Sequence, residues 1–450
     1  MTSPVGAPGL YHQAAYDIAA PPPSYWRDSA RPGPALEPLG GDAECEVAIV
    51  GGGYTGLSAA LHLARDHGIA ALVLEAGEIG WGASGRNGGF CVPGGAKRDL
   101  IAIARRFGDD EARRFARLTL DAVARVEGLL KDEAIEAAPQ PGGEMLLAHS
   151  GRALAALARR CEAERALTGH DLRMLTPQDL RDRGQRADAY AGALWEPVGF
   201  GLHPLDYVRG LAAAAQRRGA SIAPHSPVTH WSREGGFHRL VTPRGAVRCA
   251  KVIVAAGAYQ PEGLAPALAG RILPVQSNIL VTRPLTPAEV AGLGWSSTGV
   301  ASDSFELLHY FRLLPTHRLL FGARGGLSAS PRRAASFQAR LMRDFRGVFG
   351  GVGVEVTHFW SGLVDLAADR LPHCSATDGD ASVFQACAYH GSGVAMGTEL
   401  GAQLAGLAAG GRAEALPGFM MRPPPRFPLP GLRKVYLAAA LTGYAIRDAL

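Results

Sequence analysis

Lysine, cysteine and long hydrophobic runs are all scarce in this 450-residue chain. Only four of its 46 basic residues are lysines, and the arginines are spread among 41 acidic residues without a basic block. The net charge of +5 therefore indicates no nucleic-acid-binding surface. The six cysteines form no C-x-x-C pair and have no histidines at metal-ligand spacing, which is typical of a reducing compartment. We predict no metal site.

No hydrophobic run reaches the roughly 18 residues that a membrane-spanning helix needs. The nearest, residues 435–446, is too short, and residues 1–9 have neither the basic nor the apolar part of a secretory signal. We therefore expect a cytoplasmic protein without stable membrane insertion. Hydrophobic residues make up 47% of the chain and charged residues 19%, so we expect a large folded core in about two or three domains.

A glycine motif indicates a nucleotide-binding unit. Gly51, Gly53 and Gly56 form the pattern G-x-G-x-x-G directly after the apolar run 46–50. Apolar residues at helical spacing follow, and then a second apolar run, 71–75, that ends in an acidic residue. A strand, a glycine turn, a helix and a strand make a βαβ unit, which predicts a doubly wound, Rossmann-like α/β domain.

Each residue of this unit has its own physical task. Gly51 allows a tight turn, Gly53 lets the backbone approach a pyrophosphate, and Gly56 lets the helix pack closely on the strand. The N-terminus of the helix offers free amide groups and a positive dipole end to the phosphates. Glu75, at the end of the second strand, is expected to accept hydrogen bonds from ribose hydroxyls.

A second glycine-rich loop favours a flavin over a nicotinamide dinucleotide. Residues 80–89 (GWGASGRNGG) contain Ser84, Arg86 and Asn87 between glycines. A nicotinamide enzyme does not need such a loop here, whereas a flavin enzyme must wrap the pyrophosphate of FAD and reach the flavin ring. The loop therefore predicts FAD.

A turn near the other end of the chain is the third glycine-rich feature. Gly391, Ser392 and Gly393 precede a helix of small residues. Amide groups at such a helix N-terminus stabilise the negative charge of a reduced flavin. A simple capping turn is the alternative interpretation.

Three segments together resemble the D-amino-acid oxidase superfamily of FAD-dependent amine oxidoreductases, which includes glycine oxidase and sarcosine oxidase. They are residues 51–58 (GGGYTGLS), 80–89 and 252–259 (VIVAAGAY). The chain is most similar to the γ-glutamylputrescine oxidoreductase branch, through residues 24–26 (SYW), 201–204 (GLHP), 309–312 (HYFR), 369–373 (DRLPH) and 423–450. The resemblance extends over about residues 20–450 and implies FAD as the cofactor.

The resemblance also implies which residues contact FAD. They come from the glycine motif, the end of the second strand, the second glycine loop, two further strand ends and the C-terminal turn: Gly51, Gly53, Tyr54, Thr55, Gly56, Glu75, Ala76, Ala83, Ser84, Asn87, Gly88, Val228, Ala256, Gly257, Gly391, Ser392, Gly393 and Val394. Neither Cys374 nor Cys387 matches the position of the covalent flavin link found in some relatives, so non-covalent binding is implied.

The chain departs from the branch at three places. It has YHGSG at residues 389–393 where the branch reads YSGHG, and Phe90 where a glutamine is common. No lysine lies between Lys251 and Lys434, so the lysine that some oxygen-using relatives hold above the flavin is missing. The electron acceptor therefore stays open between oxygen and another compound.

The expected chemistry requires little from the protein beyond binding and orientation. A neutral amine transfers hydride to the flavin N5, and the imine product hydrolyses. The candidates beside the flavin ring are His390, Tyr310 and Arg312, each with a structural alternative. Arg312 could bind a substrate carboxylate or pair with Asp303 or Glu306, Tyr310 could be a core aromatic, and His390 could be a structural histidine.

The resemblance and the element pattern predict a discontinuous two-domain protein. The smaller substrate domain is expected to be an antiparallel sheet with helices inserted into the FAD-binding domain. The predicted segments are an N-terminal arm (1–40), an FAD-binding domain (41–98, 196–272 and 355–412), a substrate domain (99–195 and 273–354) and a C-terminal tail (413–450).

The predicted function is oxidative deamination of a small primary or secondary amine, with a γ-glutamylated polyamine as the first candidate and polyamine catabolism as the setting. One alternative is an amino-acid dehydrogenase that passes electrons to a quinone or carrier, with the basic, apolar tail at a membrane surface. Another is a flavin-binding subunit or tRNA-modifying relative without amine turnover. The sequence does not indicate an oligomeric state.

Overall fold

Two eight-stranded sheets organise the part of the chain that the computed structural model describes, residues 9–185, 188–264, 268–350, 353–413 and 415–449. The first sheet consists of β1 (Ala43–Val50), β2 (Leu72–Leu74), β9 (Ser221–Ala223), β10 (His230–Glu234), β11 (Phe237–Thr242), β12 (Gly245–Val254), β18 (His373–Thr377) and β19 (Asp380–Cys387). The second sheet consists of β5 (Glu144–Leu147), β6 (Arg173–Leu175), β7 (Ala193–Glu196), β13 (Ile272–Thr282), β14 (Val300–Asp303), β15 (His309–Leu313), β16 (Leu319–Arg324) and β17 (Val356–Ala367).

A small third sheet and eleven described helices complete these elements. The small sheet consists of β3 (Phe90–Cys91), β4 (Gln140–Pro141) and β8 (Phe200–Gly201). The helices are α1 (Tyr25–Ser29), α2 (Tyr54–His67), α3 (Leu100–Phe107), α4 (Asp109–Asp132), α5 (Gly151–Thr168), α6 (Pro177–Asp182), α7 (Pro204–Arg217), α8 (Pro287–Leu293), α9 (Pro331–Phe349), α10 (Gly393–Ala408) and α11 (Arg433–Ala449).

The first sheet has a parallel centre, which explains its continuous apolar runs. β1 pairs in parallel with β2 and β12, and these pair in parallel with β9 and β19. Residues 47–50 are all buried, because helices such as α2 cover one face of the strand and other strands and loops cover the opposite face. The predicted Rossmann-like domain is therefore confirmed.

The second sheet is mostly antiparallel, in the order β17-β13-β16-β15-β14-β5-β7-β6. One of its faces buries Met145, Phe311 and Phe321 against α9, through residues such as Phe345. Side chains alternate between the two faces of a strand, so the residues next to these in sequence point to the opposite face. That opposite face forms part of the cavity described below.

The division into domains stays a prediction, and the structure moves two of its boundaries. Residues 355–412 are predicted for the FAD-binding domain, but β17 pairs with β13 in the second sheet. Residues 99–195 are predicted for the substrate domain, but Phe115 and Val126 of α4 belong to the same hydrophobic core as β1. We therefore assign β17 to the substrate domain and α4 to the FAD-binding domain.

The N-terminal arm and the C-terminal tail both pack against the rest of the protein. Residues 9–40 include α1, whose Trp26 is buried and donates a hydrogen bond from its indole nitrogen to the Asn87 carbonyl oxygen at 2.8 Å. In the tail, Leu437 of α11 is buried against Tyr11. None of the described helices is long and apolar enough to cross a membrane. The cytoplasmic location stays a prediction.

Candidate active site

A cavity of about 1050 Å³ lies where the carboxyl ends of the parallel strands face the second sheet. Its walls include every described residue predicted to contact FAD except Gly56, and also Tyr310 and His390. Its volume is at the upper limit of roughly 300–1,000 Å³ for pockets that hold one small ligand. The cavity therefore has room for a dinucleotide and a substrate together.

Two helix N-termini meet at this cavity. Gly53 and Ser392, the residues that precede α2 and α10, supply no side-chain hydrogen bond to their helices in the described structure. The two helices run side by side, and a Cβ added at Gly401 would lie only 2.4 Å from the Thr55 carbonyl oxygen. Both positive dipole ends therefore face one region, which suits an anionic group such as a diphosphate.

The glycine motif has no room for side chains. Gly51 has a φ of +109°, and a Cβ there would lie 2.7 Å from the Ala255 carbonyl oxygen. A Cβ at Gly56 would lie 1.9 Å from the Gly51 carbonyl oxygen. Gly56 thus serves the packing of α2 on β1, as predicted, and lies behind the cavity wall. The motif leaves a backbone-lined cradle that fits the diphosphate of FAD.

Glu75 is held by backbone amides at the end of β2. Its two carboxylate oxygens accept hydrogen bonds from the Gly52 amide at 2.7 Å and the Gly77 amide at 2.9 Å. Burial raises the pKa of Glu75, and these amide hydrogen bonds oppose that rise. Each carboxylate oxygen can accept a further hydrogen bond, so the predicted ribose contact stays available.

The polar residues of the second glycine loop mainly shape the loop itself. The Asn87 side-chain nitrogen donates to the Ala83 and Ser84 carbonyl oxygens. The side-chain oxygen of Asn87, Oδ1, accepts from the Gly89 amide at 2.8 Å. The Ser84 hydroxyl oxygen accepts from the Tyr54 amide at 2.9 Å, at the start of α2. These bonds hold the loop against the helix N-terminus.

Tyr310 lies on the cavity wall beside the second glycine loop. Its hydroxyl hydrogen-bonds the Ser277 hydroxyl at 2.8 Å, and its ring meets Phe90 edge-to-face with 5.6 Å between centroids. A Cβ at Gly88 would lie 3.1 Å from the Tyr310 ring. Burial raises the pKa of Tyr310 to about 12, so its hydroxyl keeps its proton at neutral pH.

The hydrogen bonds of Arg312 favour a structural role, with partners other than Asp303 and Glu306 in the described residues. Arg312 is 1% exposed and lies behind the cavity wall. Its guanidinium donates to the carbonyl oxygens of Gly88 at 3.0 Å and Leu202 at 2.5 Å, and to the Gln140 side chain at 2.8 Å. It is therefore a positioning residue that ties the second glycine loop to β4 and the segment after β8.

His390 lines the cavity, and both nitrogens of its ring have hydrogen-bond partners. Its Nδ1 hydrogen-bonds the Gly95 carbonyl oxygen at 3.0 Å, and its Nε2 accepts from the Ala367 amide at 3.4 Å. Burial lowers the pKa of His390 to about 3, so the ring is neutral. These contacts favour the structural alternative and leave no lone pair for a role as a base.

Lys97 and Arg324 are cavity residues that sequence reasoning missed. Lys97 follows β3, far from the position where relatives carry a lysine, and Arg324 ends β16. Arg324 donates to the His390 carbonyl oxygen at 2.9 Å. Burial, followed by the charge of Arg324, lowers the pKa of Lys97 well below its ordinary value. No motif marks either residue, because the fold brings them to one cavity from distant parts of the chain.

Comparison with known families identifies the chain. The sequence profile of the DAO family, described as FAD dependent oxidoreductase, matches residues 46–407. The chain belongs to this family. It is an FAD-dependent oxidoreductase, and the cradle between α2 and α10 fits that cofactor.

Individual relatives agree with this assignment. Gamma-glutamylputrescine oxidoreductase of Escherichia coli K12 is 31% identical over 95% of this chain and 98% of its own. Sarcosine oxidase subunit beta of Rhodobacter capsulatus is 26% identical over 78% of this chain and 83% of its own. The crystal structure of glycine oxidase from Geobacillus kaustophilus has a TM-score of 0.70 at 22% identity, over 82% of this chain and 96% of that one, which shows a common fold.

Proposed function

We propose that this FAD-dependent oxidoreductase binds FAD non-covalently and oxidatively deaminates a primary or secondary amine. An amine that carries a γ-glutamyl group, such as γ-glutamylputrescine, is the first candidate. The observation that carries the proposal is that one continuous cavity extends from the glycine cradle to the polar face of the second sheet. The similarity to the E. coli enzyme over almost the whole of both chains supports the choice of substrate.

The roles of the chain's residues follow from their positions. FAD, when bound, supplies the acceptor for the hydride that the amine loses. The N-termini of α2 and α10 would hold its diphosphate and the electron-rich edge of its ring. Neither Cys374 nor Cys387 is among the residues that line the cavity, which supports non-covalent binding.

Arg324 helps to prepare the amine. Hydride leaves a neutral amine more readily than a protonated one, since an ammonium has no lone pair to stabilise the developing iminium. Positive charges nearby lower the pKa of a bound ammonium. The Arg324 guanidinium on the cavity wall therefore favours the neutral amine without a dedicated base, which agrees with the engaged ring of His390.

An anaerobic absorbance titration tests this function. Purified FAD-loaded protein is mixed with γ-glutamylputrescine, putrescine, glycine, sarcosine or D-amino acids, and air is readmitted afterwards. We expect γ-glutamylputrescine to bleach the flavin bands. Folded protein that shows no flavin bands after incubation with FAD would refute the cofactor, and bleaching by none of the amines would refute the reaction.

A dehydrogenase that transfers electrons to a quinone or carrier is the second candidate. The tail favours it, because Leu429, Leu432, Val435 and Ile446 expose large apolar side chains next to basic residues such as Lys434. Such a surface suits a membrane or a carrier protein. Rapid return of the flavin bands in air would identify an oxidase, and slow return that a quinone accelerates would identify a dehydrogenase.

A further inference from the structure

The cavity has a second lobe on the polar face of the second sheet. We call it the acid–base lobe and define it by Glu144, Arg160, Glu164, His170, Glu196 and Ser302. Met145 and Ala301 point to the opposite face and pack in the core with α9. The alternation of side chains thus puts charged residues on the cavity side of strands whose other side is apolar.

Strand register places this lobe at a defined distance from Tyr310. Ser302 of β14 is paired with Tyr310 of β15 on one side and with Leu146 of β5 on the other. Glu144 lies two residues from Leu146 and is paired with Glu196 of β7. Two strand spacings of about 4.8 Å and two residues of about 3.4 Å put the Cα of Glu144 roughly 12 Å from that of Tyr310.

The lobe contains an acid and a base that face one space without bonding to each other. In the described structure, Glu144 has one hydrogen bond, which the Ser302 hydroxyl donates at 3.1 Å. Arg160 of α5 donates from Nε to Glu164 at 3.0 Å, its side chain is 43% exposed, and it is one of the residues that line the cavity. The Glu144 carboxyl and the Arg160 guanidinium can therefore bind a ligand that carries both an ammonium and a carboxylate.

The neighbours of Glu144 include a second carboxyl group and affect its state of charge. Glu196 is held by His170, with 2.7 Å between the carboxylate oxygen and Nε2. Burial raises the pKa of Glu144 to about 7, against the hydrogen bond from Ser302 and the charge of Arg160. A ligand ammonium beside Glu144 would favour its ionised form.

We propose that the acid–base lobe binds the zwitterionic α-amino-acid head of an extended amine substrate. Glu144 accepts hydrogen bonds from the head's ammonium, and Arg160 donates to its carboxylate, while the amine to be oxidised lies at the Tyr310 end. This inference rests on the proposed function and adds to it the group that selects the substrate. A simple diamine has no carboxylate for Arg160 and is bound more weakly.

The length of a γ-glutamylated diamine agrees with this arrangement. Eight bonds separate the carbon that is oxidised in γ-glutamylputrescine from the α-carbon of its glutamyl head. An extended chain advances about 1.2 Å per bond, so the two carbons lie roughly 10 Å apart. These roughly 10 Å are close to the roughly 12 Å between the Cα atoms of Tyr310 and Glu144, since the Glu144 side chain extends into the cavity. A free amino acid is too short to contact both ends.

Steady-state kinetics of FAD-loaded variants test the assignment group by group. The substrates are γ-glutamylputrescine, glutarylputrescine, which lacks the head's ammonium, and γ-aminobutyrylputrescine, which lacks its carboxylate. We expect Arg160→Met to raise KM about 10- to 100-fold for γ-glutamylputrescine and glutarylputrescine, which have the carboxylate, and not for the third substrate. Glu144→Gln should raise KM similarly for γ-glutamylputrescine and γ-aminobutyrylputrescine, which have the head's ammonium, and not for glutarylputrescine. In both variants kcat should change little.

Matched controls and a binding assay make the result decisive. Arg159→Met and Glu162→Gln change exposed neighbours on α5 and should leave all KM values unchanged. N-butyl-γ-glutamylamide has the head but lacks the amine at the other end of the chain, and calorimetry should detect its binding to the wild type and the loss of this binding in both lobe variants.

The two proposals can fail separately. Binding of the amide without flavin reduction by any amine would overturn the proposed function and keep the lobe. Flavin reduction by γ-glutamylputrescine with unchanged KM in both lobe variants, or without binding of the amide, would overturn the lobe. Absence of both binding and reduction would overturn both.

Discussion

The glycine cradle and the acid–base lobe belong to one cavity but are built in opposite ways. The cradle is lined by backbone, and its glycines lie within six residues of each other at 51–56. The lobe is lined by charged side chains on β5, β7 and α5 and by the Ser302 hydroxyl on β14. A cofactor common to a whole family can be bound by backbone alone, whereas a particular substrate needs side chains that can change without disturbing the fold.

The largest effect is expected from a substitution that disrupts the glycine cradle. Gly56→Ala puts a methyl group 1.9 Å from the Gly51 carbonyl oxygen, so α2 must move away from β1. We expect a loss of about 3 kcal/mol or more in the free energy of unfolding and loss of bound FAD. Flavin absorbance of the purified protein and urea unfolding measure both. Gly406→Ala in α10, where nothing lies within 4 Å, is the control and should keep FAD.

Arg312→Met tests whether the arginine that ties the second glycine loop to β4 and the segment after β8 has a structural role. The change leaves the buried carbonyl oxygens of Gly88 and Leu202 and the Gln140 side chain without their donor. We expect a loss of about 2–3 kcal/mol in the free energy of unfolding by urea, and weaker FAD binding. KM for the substrate, measured with saturating FAD, should change little. A large rise in KM with full stability would instead favour a carboxylate-binding arginine.

His390→Asn should make the protein less sensitive to acid. Burial holds the pKa of His390 at about 3 in the folded state, against an ordinary 6.5. Between these values the unfolded chain binds the proton and the folded chain does not, so folding loses stability as pH falls below 6.5. Without this histidine, the stability difference between pH 7.5 and pH 5 should shrink by about 1–2 kcal/mol. His67→Asn, at an exposed position, is the control for urea unfolding at both pH values.

The smallest effect is expected at the Tyr310 hydroxyl. Tyr310→Phe removes the hydrogen bond to Ser277 and keeps the ring against Phe90. We expect a loss of about 1 kcal/mol in stability and little change in the rate of anaerobic flavin reduction. A fall in that rate of tenfold or more would assign Tyr310 a role in the reaction itself.

The sequence predicts the cradle well because its information is local. Gly51, Gly53 and Gly56 act through short-range geometry, and Glu75 follows directly from the end of β2. Each has a physical task that a short pattern reveals, and the Rossmann-like sheet follows from the same pattern. The division of the remaining segments between domains is less predictable, since β17 pairs with a strand about 80 residues earlier.

The substrate end of the cavity is unpredictable for the same reason. Lys97 and Arg324 meet only because β16 ends beside the loop after β3. The hydrogen-bond partners of Arg312 are backbone carbonyls more than 100 residues away, which no sequence pattern shows. The sequence could therefore not decide between the alternatives for Arg312, because its backbone partners are set by tertiary packing.

The pairing of α2 with α10 also has a consequence for synthesis. The two helices begin 339 residues apart in the chain, at Tyr54 and Gly393. A chain emerging from the ribosome has only the first of them until the residues between them and α10 itself have been made, and domains fold as they emerge. Firm retention of the cofactor must therefore wait for α10, and a bound flavin marks a molecule in which both helices are in place.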